Sequence, residues 1–198
     1  LEDVVQFQKL AGPTLTSTQL KAGLLKQLGR PDQAVNVFTE ALQQYPEHPV
    51  FLLLQADYLA DAGKLELARQ ECDAILRRHP QLTMALELRA RINVDNDDFD
   101  LAIADANEAI EIGHKTSRIF MYRGVARLTQ QDHEKAIDDL LQAIELDSGN
   151  VVARYHLSRV KAILGHIEDA IAELTIVIDS ASEWAEPRIA RASVVAWA

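Results

Sequence analysis

Apolar residues recur along this chain three and four positions apart, in stretches of about 13 residues, the spacing that puts one stripe on a helix. Short polar turns, such as Leu28 to Asp32 and Ala62 to Lys64, separate the stretches. Laid against itself, the pattern repeats. Ala34, Ala68, Ala102, Ala136 and Ala170 follow one another at a constant interval of thirty-four positions, without insertion or deletion. Five positions before each stand Gly29, Gly63, Asp97, Gln131 and Gly165; twelve before stand the small residues Ala22, Ala56, Ala90, Gly124 and Ser158. Four after come Phe38, Cys72, Ala106, Leu140 and Leu174, and seven after come Ala41, Ile75, Ala109, Ala143 and Val177. Pro46 and Pro80 lie twelve after, replaced later by His114, Ser148 and Ser182.

Each period therefore predicts two helices joined at the glycine, a helical hairpin. Small residues are required where two helices cross at close range. Glycine ends a helix because it enters the left-handed region without steric cost. Pro31 and Pro187 fall in first helical turns, where a missing N–H is harmless.

A helix-turn-helix of this length with these offsets resembles the tetratricopeptide repeat. The resemblance covers five copies: 15–48, 49–82, 83–116, 117–150 and 151–184. It implies an all-α, right-handed α-α superhelix, a solenoid of hairpins in a single array over 1–198. Residues 1–14 are expected to hold a partial preceding helix, with Val4, Val5, Phe7 and Leu10 as its apolar stripe. Residues 185–198 match a partial sixth repeat with Pro187 and Ala192 in phase, and Val194, Val195 and Trp197 make it apolar. A solenoid ordinarily closes on a polar cap. The apolar last helix thus suggests either a window onto a longer array or docking on another chain, including a homo-oligomer.

Composition narrows the classes. With 198 residues, 48% of them apolar, the chain can bury a core. Its 20 Lys+Arg against 30 Asp+Glu give a formal charge of −10, unfavourable for attachment to nucleic acid or anionic lipid. Apolar runs, such as Val50 to Leu54, reach only five residues, far shorter than a membrane helix, so no membrane insertion is expected. Cys72 has no intrachain partner, which favours a reducing, cytoplasmic setting over a periplasmic one.

In the family, first helices line a concave groove and second helices form most of the convex side. The first helices of copies three to six carry Arg89, Arg91, Arg118, Arg123, Arg127, Arg154, Arg159, Lys161, Arg188 and Arg191, whereas the second helices of copies three to five are strongly acidic. Arg89 and Arg123 each precede an acid, Asp105 and Asp139, by sixteen positions, which suggests ion pairs within a hairpin. The groove-facing phases leave Arg91, Arg118 and Arg159 as basic candidates with no acid in that relation, and add Met121 and Tyr155 as apolar contacts. The expectation is a protein–protein interaction scaffold; the alternative is a structural or self-assembling repeat array, or the accessory interaction region of a larger enzyme or secretion machine. The scaffold would hold a protein or peptide partner with an acidic or carboxylate group, since guanidinium forks bind such groups bidentately. The Lys/Asn pattern by which some family members clamp chaperone C-termini is absent in every frame.

No chemistry competes with that reading. His133-Glu134 opens like a zinc-protease motif, but Ile137 stands where the second histidine is needed. Phosphate-cradling and nucleophile-turn motifs are missing, and Cys72 occupies a bulky packing phase. Asp95, Asp97, Asp98 and Asp100 lack the glycine and distal glutamate of a calcium loop and read as a solvated turn. No catalytic residue, cofactor or metal is expected.

Overall fold

The computed structural model describes residues 1–12 and 14–197, and for Phe7, Lys9, Leu10, Ala11 and Trp197 only the backbone. The predicted contributions of Phe7, Leu10 and Trp197 to the apolar ends thus lie outside the described side chains. Among the described residues the chain is helical, with twelve helices: α1 (Glu2–Ala11), α2 (Leu15–Gln27), α3 (Pro31–Gln44), α4 (Pro49–Asp61), α5 (Leu65–Arg78), α6 (Thr83–Asp95), α7 (Phe99–Glu111), α8 (Ser117–Thr129), α9 (His133–Leu146), α10 (Val151–Ile163), α11 (Ile167–Ser180) and α12 (Glu186–Trp197). Two compact units emerge, Leu1–Asn96 and Asp97–Ala198.

In the first unit α2 packs on α3 and α4 on α5, and in the second α8 packs on α9 and α10 on α11. All five anchor alanines are fully buried. So are the small residues at the helix crossings, Ala22, Ala56 and Ala90, while Ser158 is 1% exposed. The crossing is tightest at Gly124, where an added Cβ would meet Leu140 Cγ at 2.9 Å. The bulky phase fills the space between hairpins: Phe38, Cys72 and Leu140 are fully buried, and Leu174 joins Ala170 and Val194 with Tyr155, Ile171 and Ala190 around them.

Local signals set the helix ends. Thr14 accepts from the Ser17 N–H in a reciprocal capping box, Thr116 from the Ile119 N–H and Asn150 from the Ala153 N–H. Pro31 and Pro49 open α3 and α4. At the turn after each first helix the chain passes through the left-handed region, at Gly29, Gly63 and Gly165 and equally at Asp97 (φ 62°) and Gln131 (φ 65°). Gln131 closes the same pair of hydrogen bonds as Gly29. Its N–H donates to Leu128 O and the next N–H to Arg127 O, as Gly29 and Arg30 donate to Lys26 and Leu25.

Candidate interaction face

The cations of the first helices are the candidate ligand-holding groups, and the structure distributes them unevenly. Asp139, on α9, is nearly fully buried and serves two arginines of α8: Arg123 forks onto both of its oxygens at 2.7 and 3.0 Å, and Arg127 Nη1 reaches Oδ2 at 2.7 Å. The expected Arg123–Asp139 pair is thus formed. Glu173 does the same for α10, accepting from Arg154 at 3.0 Å and from Lys161 at 3.1 Å. A second set of bonds points backwards along the chain by the same sixteen positions: Gln55 donates to Thr39, Arg89 to Asp73, Arg123 to Asn107 and Arg191 to Thr175. Taken only forwards, that spacing misses these bonds; taken in both directions, it finds them.

Arg91 has no acid sixteen positions further on, yet two carboxylates on α4 hold it: Asp57 at 2.9 Å and Asp61 at 3.0 Å. Asp61 also accepts from Lys26, on α2. Burial would raise the Asp61 carboxyl, but hydrogen bonds from Lys26 and Arg91 outweigh it and keep it below the ordinary carboxylate value. Burial, opposed by Arg91, raises the neighbouring Asp95. The charge on Arg91 serves to tie α2, α4 and α6 together within the first unit. The signal existed in the sequence, since Asp57 lies one full period before Arg91.

Six of the ten first-helix cations, Arg89, Arg91, Arg123, Arg127, Arg154 and Lys161, are therefore engaged by carboxylates. Arg118, Arg159 and Arg188 are exposed. Arg118 and Arg159 lie on α8 and α10, which touch each other in the second unit. Helical spacing places Arg118 with Tyr122, Val125 and Thr129, and Arg159 with Val152, His156 and Ile163. Arg159 Nη1 lies 3.5 Å from His156 Nδ1. Burial, and then the nearby guanidinium, lowers the His156 pKa to about 4, so the imidazole is neutral at pH 7 and adds no charge beside Arg159.

The two apolar candidates sit deeper than the arginines. Met121 is only 9% exposed. Tyr155 is half-buried, its ring 4.8 Å from that of Trp184 and 5.4 Å from that of His156. Tyr155 packs against the cluster of Ala170, Leu174 and Val194 on α11 and α12. The apolar groups that reach solvent on α10 are Val152 (38% exposed) and Ile163 (56% exposed). Among the described residues, no group of three or more His, Cys, Asp or Glu is placed to hold a metal ion, and no helix is long and apolar enough to cross a membrane.

Helical hairpins repeating at one constant period, with small residues at each crossing, define a helical-repeat protein. The family model described as tetratricopeptide repeat matches residues 20–83 and 87–151, more than half of the chain, and the chain belongs to that family. No curated protein is matched. Among solved structures, TTC0263, a thermophilic TPR protein of Thermus thermophilus, is similar with a TM-score of 0.76 at 19% identity, over 91% of this chain and 98% of that one. Yeast Tom70 is similar with a TM-score of 0.78 at 19% identity, over 98% of this chain but 42% of its own. YrrB, described as a TPR protein with an unusual peptide-binding site, gives 0.63 at 19% identity, over 81% of this chain and 82% of that one. These likenesses establish the fold, a solenoid of helical hairpins. The family places the chain among protein–protein interaction scaffolds.

Proposed function

We propose that the α8/α10 face of the second unit binds a peptide or partner segment that carries carboxylates and apolar side chains. The observation that carries this reading is the exposure of Arg118 and Arg159 on one pair of touching helices, with Val152 and Ile163 exposed on the same α10. An exposed guanidinium remains able to grip a carboxylate with two parallel N–H bonds. Val152 and Ile163 supply apolar contact beside Arg159; Met121 and Tyr155, on the same two helices, are proposed to add apolar surface as a partner segment draws near. Arg91, offset by two acids of its own, has no part in the site. YrrB, with the same fold, is described as having a peptide-binding site, which supports a peptide as the ligand.

The test uses two synthetic extended peptides, one alternating Glu and Leu and one alternating Lys and Leu, titrated into the protein. The Glu/Leu peptide binds, its affinity falls with added salt, and an Arg118→Glu/Arg159→Glu variant loses most of that affinity. Equal binding of both peptides, or an unchanged affinity in the double variant, overturns the assignment.

A further inference from the structure

The first unit carries an open cavity at the turns that join its hairpins. It measures about 510 Å³ and is lined by Pro49, at the start of α4, and by His79, Pro80, Gln81 and Leu82, between α5 and α6. The lining is mostly apolar, and the size falls in the roughly 300–1,000 Å³ range of ligand clefts. Its walls are fixed from behind. The Leu82 N–H donates to His79 O at 3.0 Å and closes one turn, and the His48 N–H donates to Tyr45 O at 3.1 Å and closes the other. Beside Pro49, the His48 ring lies 4.5 Å from that of Phe51, which is buried in α4. Two prolines of fixed φ add to this stiffness, so a ligand entering here orders little of the chain.

Charge gives the occupant its sign. Arg77 and Arg78 are exposed in the last turn of α5, immediately before His79, and neither meets a carboxylate among the described residues. Arg69, earlier in the same helix, is held by Glu66 at 2.7 Å. Glu47 is the one acid in residues 45–49 and 77–82, so the two turns are net positive in a chain of formal charge −10. An apolar cavity beside two uncompensated guanidiniums is complementary to an apolar group flanked by acids.

We propose that this cavity seats one bulky apolar side chain of an acidic partner segment. The side chain enters between Pro49 and Pro80, and carboxylates next to it in the partner pair with Arg77 and Arg78. The site belongs to the first unit, whereas the α8/α10 face belongs to the second, and it does not depend on that reading.

The test uses the whole chain with Arg118→Glu/Arg159→Glu in place, so that the α8/α10 face is silenced and the two sites can fail separately. The probe is a synthetic peptide of glutamates around one phenylalanine, titrated by calorimetry and by amide NMR. It binds, and the largest amide shifts fall within residues 77–83. Changing the phenylalanine to alanine lowers the affinity at least about tenfold. Adding Arg77→Glu/Arg78→Glu to the protein does the same, with circular dichroism unchanged because both side chains are exposed. A peptide with lysines in place of the glutamates does not bind. Absence of binding, shifts centred elsewhere, or an affinity indifferent to the phenylalanine or to the two arginines overturns the proposal. So does a parent chain whose mass rises with concentration unless Arg77→Glu/Arg78→Glu is present, since that result seats a second copy in the cavity.

Discussion

At the scale of single residues, Asp139 is the position where electrostatics and packing meet. Its side chain is 4% exposed, and it neutralises Arg123 and Arg127, themselves 14% and 17% exposed. Removing the acid strands two guanidiniums with little solvent, whereas removing one cation leaves a complete pair. Breaking a buried pair costs about 3–5 kcal/mol, and the residual exposure of the arginines together with the Asn107 bond reduces that. Urea denaturation is expected to show Asp139→Asn losing about 2–3 kcal/mol and Arg127→Gln about 1 kcal/mol or less. Equal losses would mean that the two arginines do not share the acid. His156 makes the second residue-scale prediction. The folded protein keeps the imidazole neutral down to about pH 4, while the unfolded chain protonates near 6.5. Between those values the unfolded state takes up a proton that the folded state refuses. Stability present above about pH 6.5 is therefore lost as pH falls towards 4, by about 1–3 kcal/mol. The carboxylate Asp61, held low, adds its loss only further into acid. Denaturation midpoints at pH 7 and pH 4.5 should differ clearly less in His156→Gln than in the parent.

At the scale of helices and turns, more is legible in the sequence than for single charges. The anchor alanines and small crossing positions mark the hairpins without ambiguity because burial leaves little freedom: a larger side chain at Ala56 or Ala90 would force the helices apart. The turn positions are equally readable, and they expose a cost. Gln131 adopts φ 65° where Gly29, Gly63 and Gly165 stand in other copies, and that conformation costs a residue with a Cβ about 1 kcal/mol or more. Glycine gains freedom in the unfolded chain and gives part of this back. Gln131→Gly is expected to raise the stability measured in urea by a net of about 0.5–1 kcal/mol. A lower stability would show that the Gln131 side chain contributes more than its backbone costs. The partners of individual cations are harder to read. Arg91 looks like a groove residue because its acids lie one period away along the array and not within its own hairpin, and Met121, expected at the groove surface, lies on the side of the helix that packs. Periodicity determines which side of a helix a residue occupies, but only the packing of neighbouring helices determines how much of that side is covered.

At the scale of the whole molecule, charge separates into paired cations and surplus acids. The formal charge is −10, and among the described residues many of the first-helix arginines and lysines are neutralised by carboxylates. The excess of acids opposes attachment to a phosphate backbone. A mobility-shift assay with random-sequence double-stranded DNA at physiological salt should show no retention; binding that weakens steeply with salt would reveal a basic surface. The pair Asp57 and Arg91 bears on how such an array can grow. They occupy the same position of consecutive repeats, one period apart, and they attract only because the two repeats differ there. Copying the repeat of Asp57 into its neighbour would bring two carboxylates together, and copying the repeat of Arg91 would bring two guanidiniums together. Verbatim duplication is therefore penalised at this spot. The order of these two repeats is fixed by their charges, so a lineage that lengthens the array must alter this position in the same step or insert the new copy elsewhere.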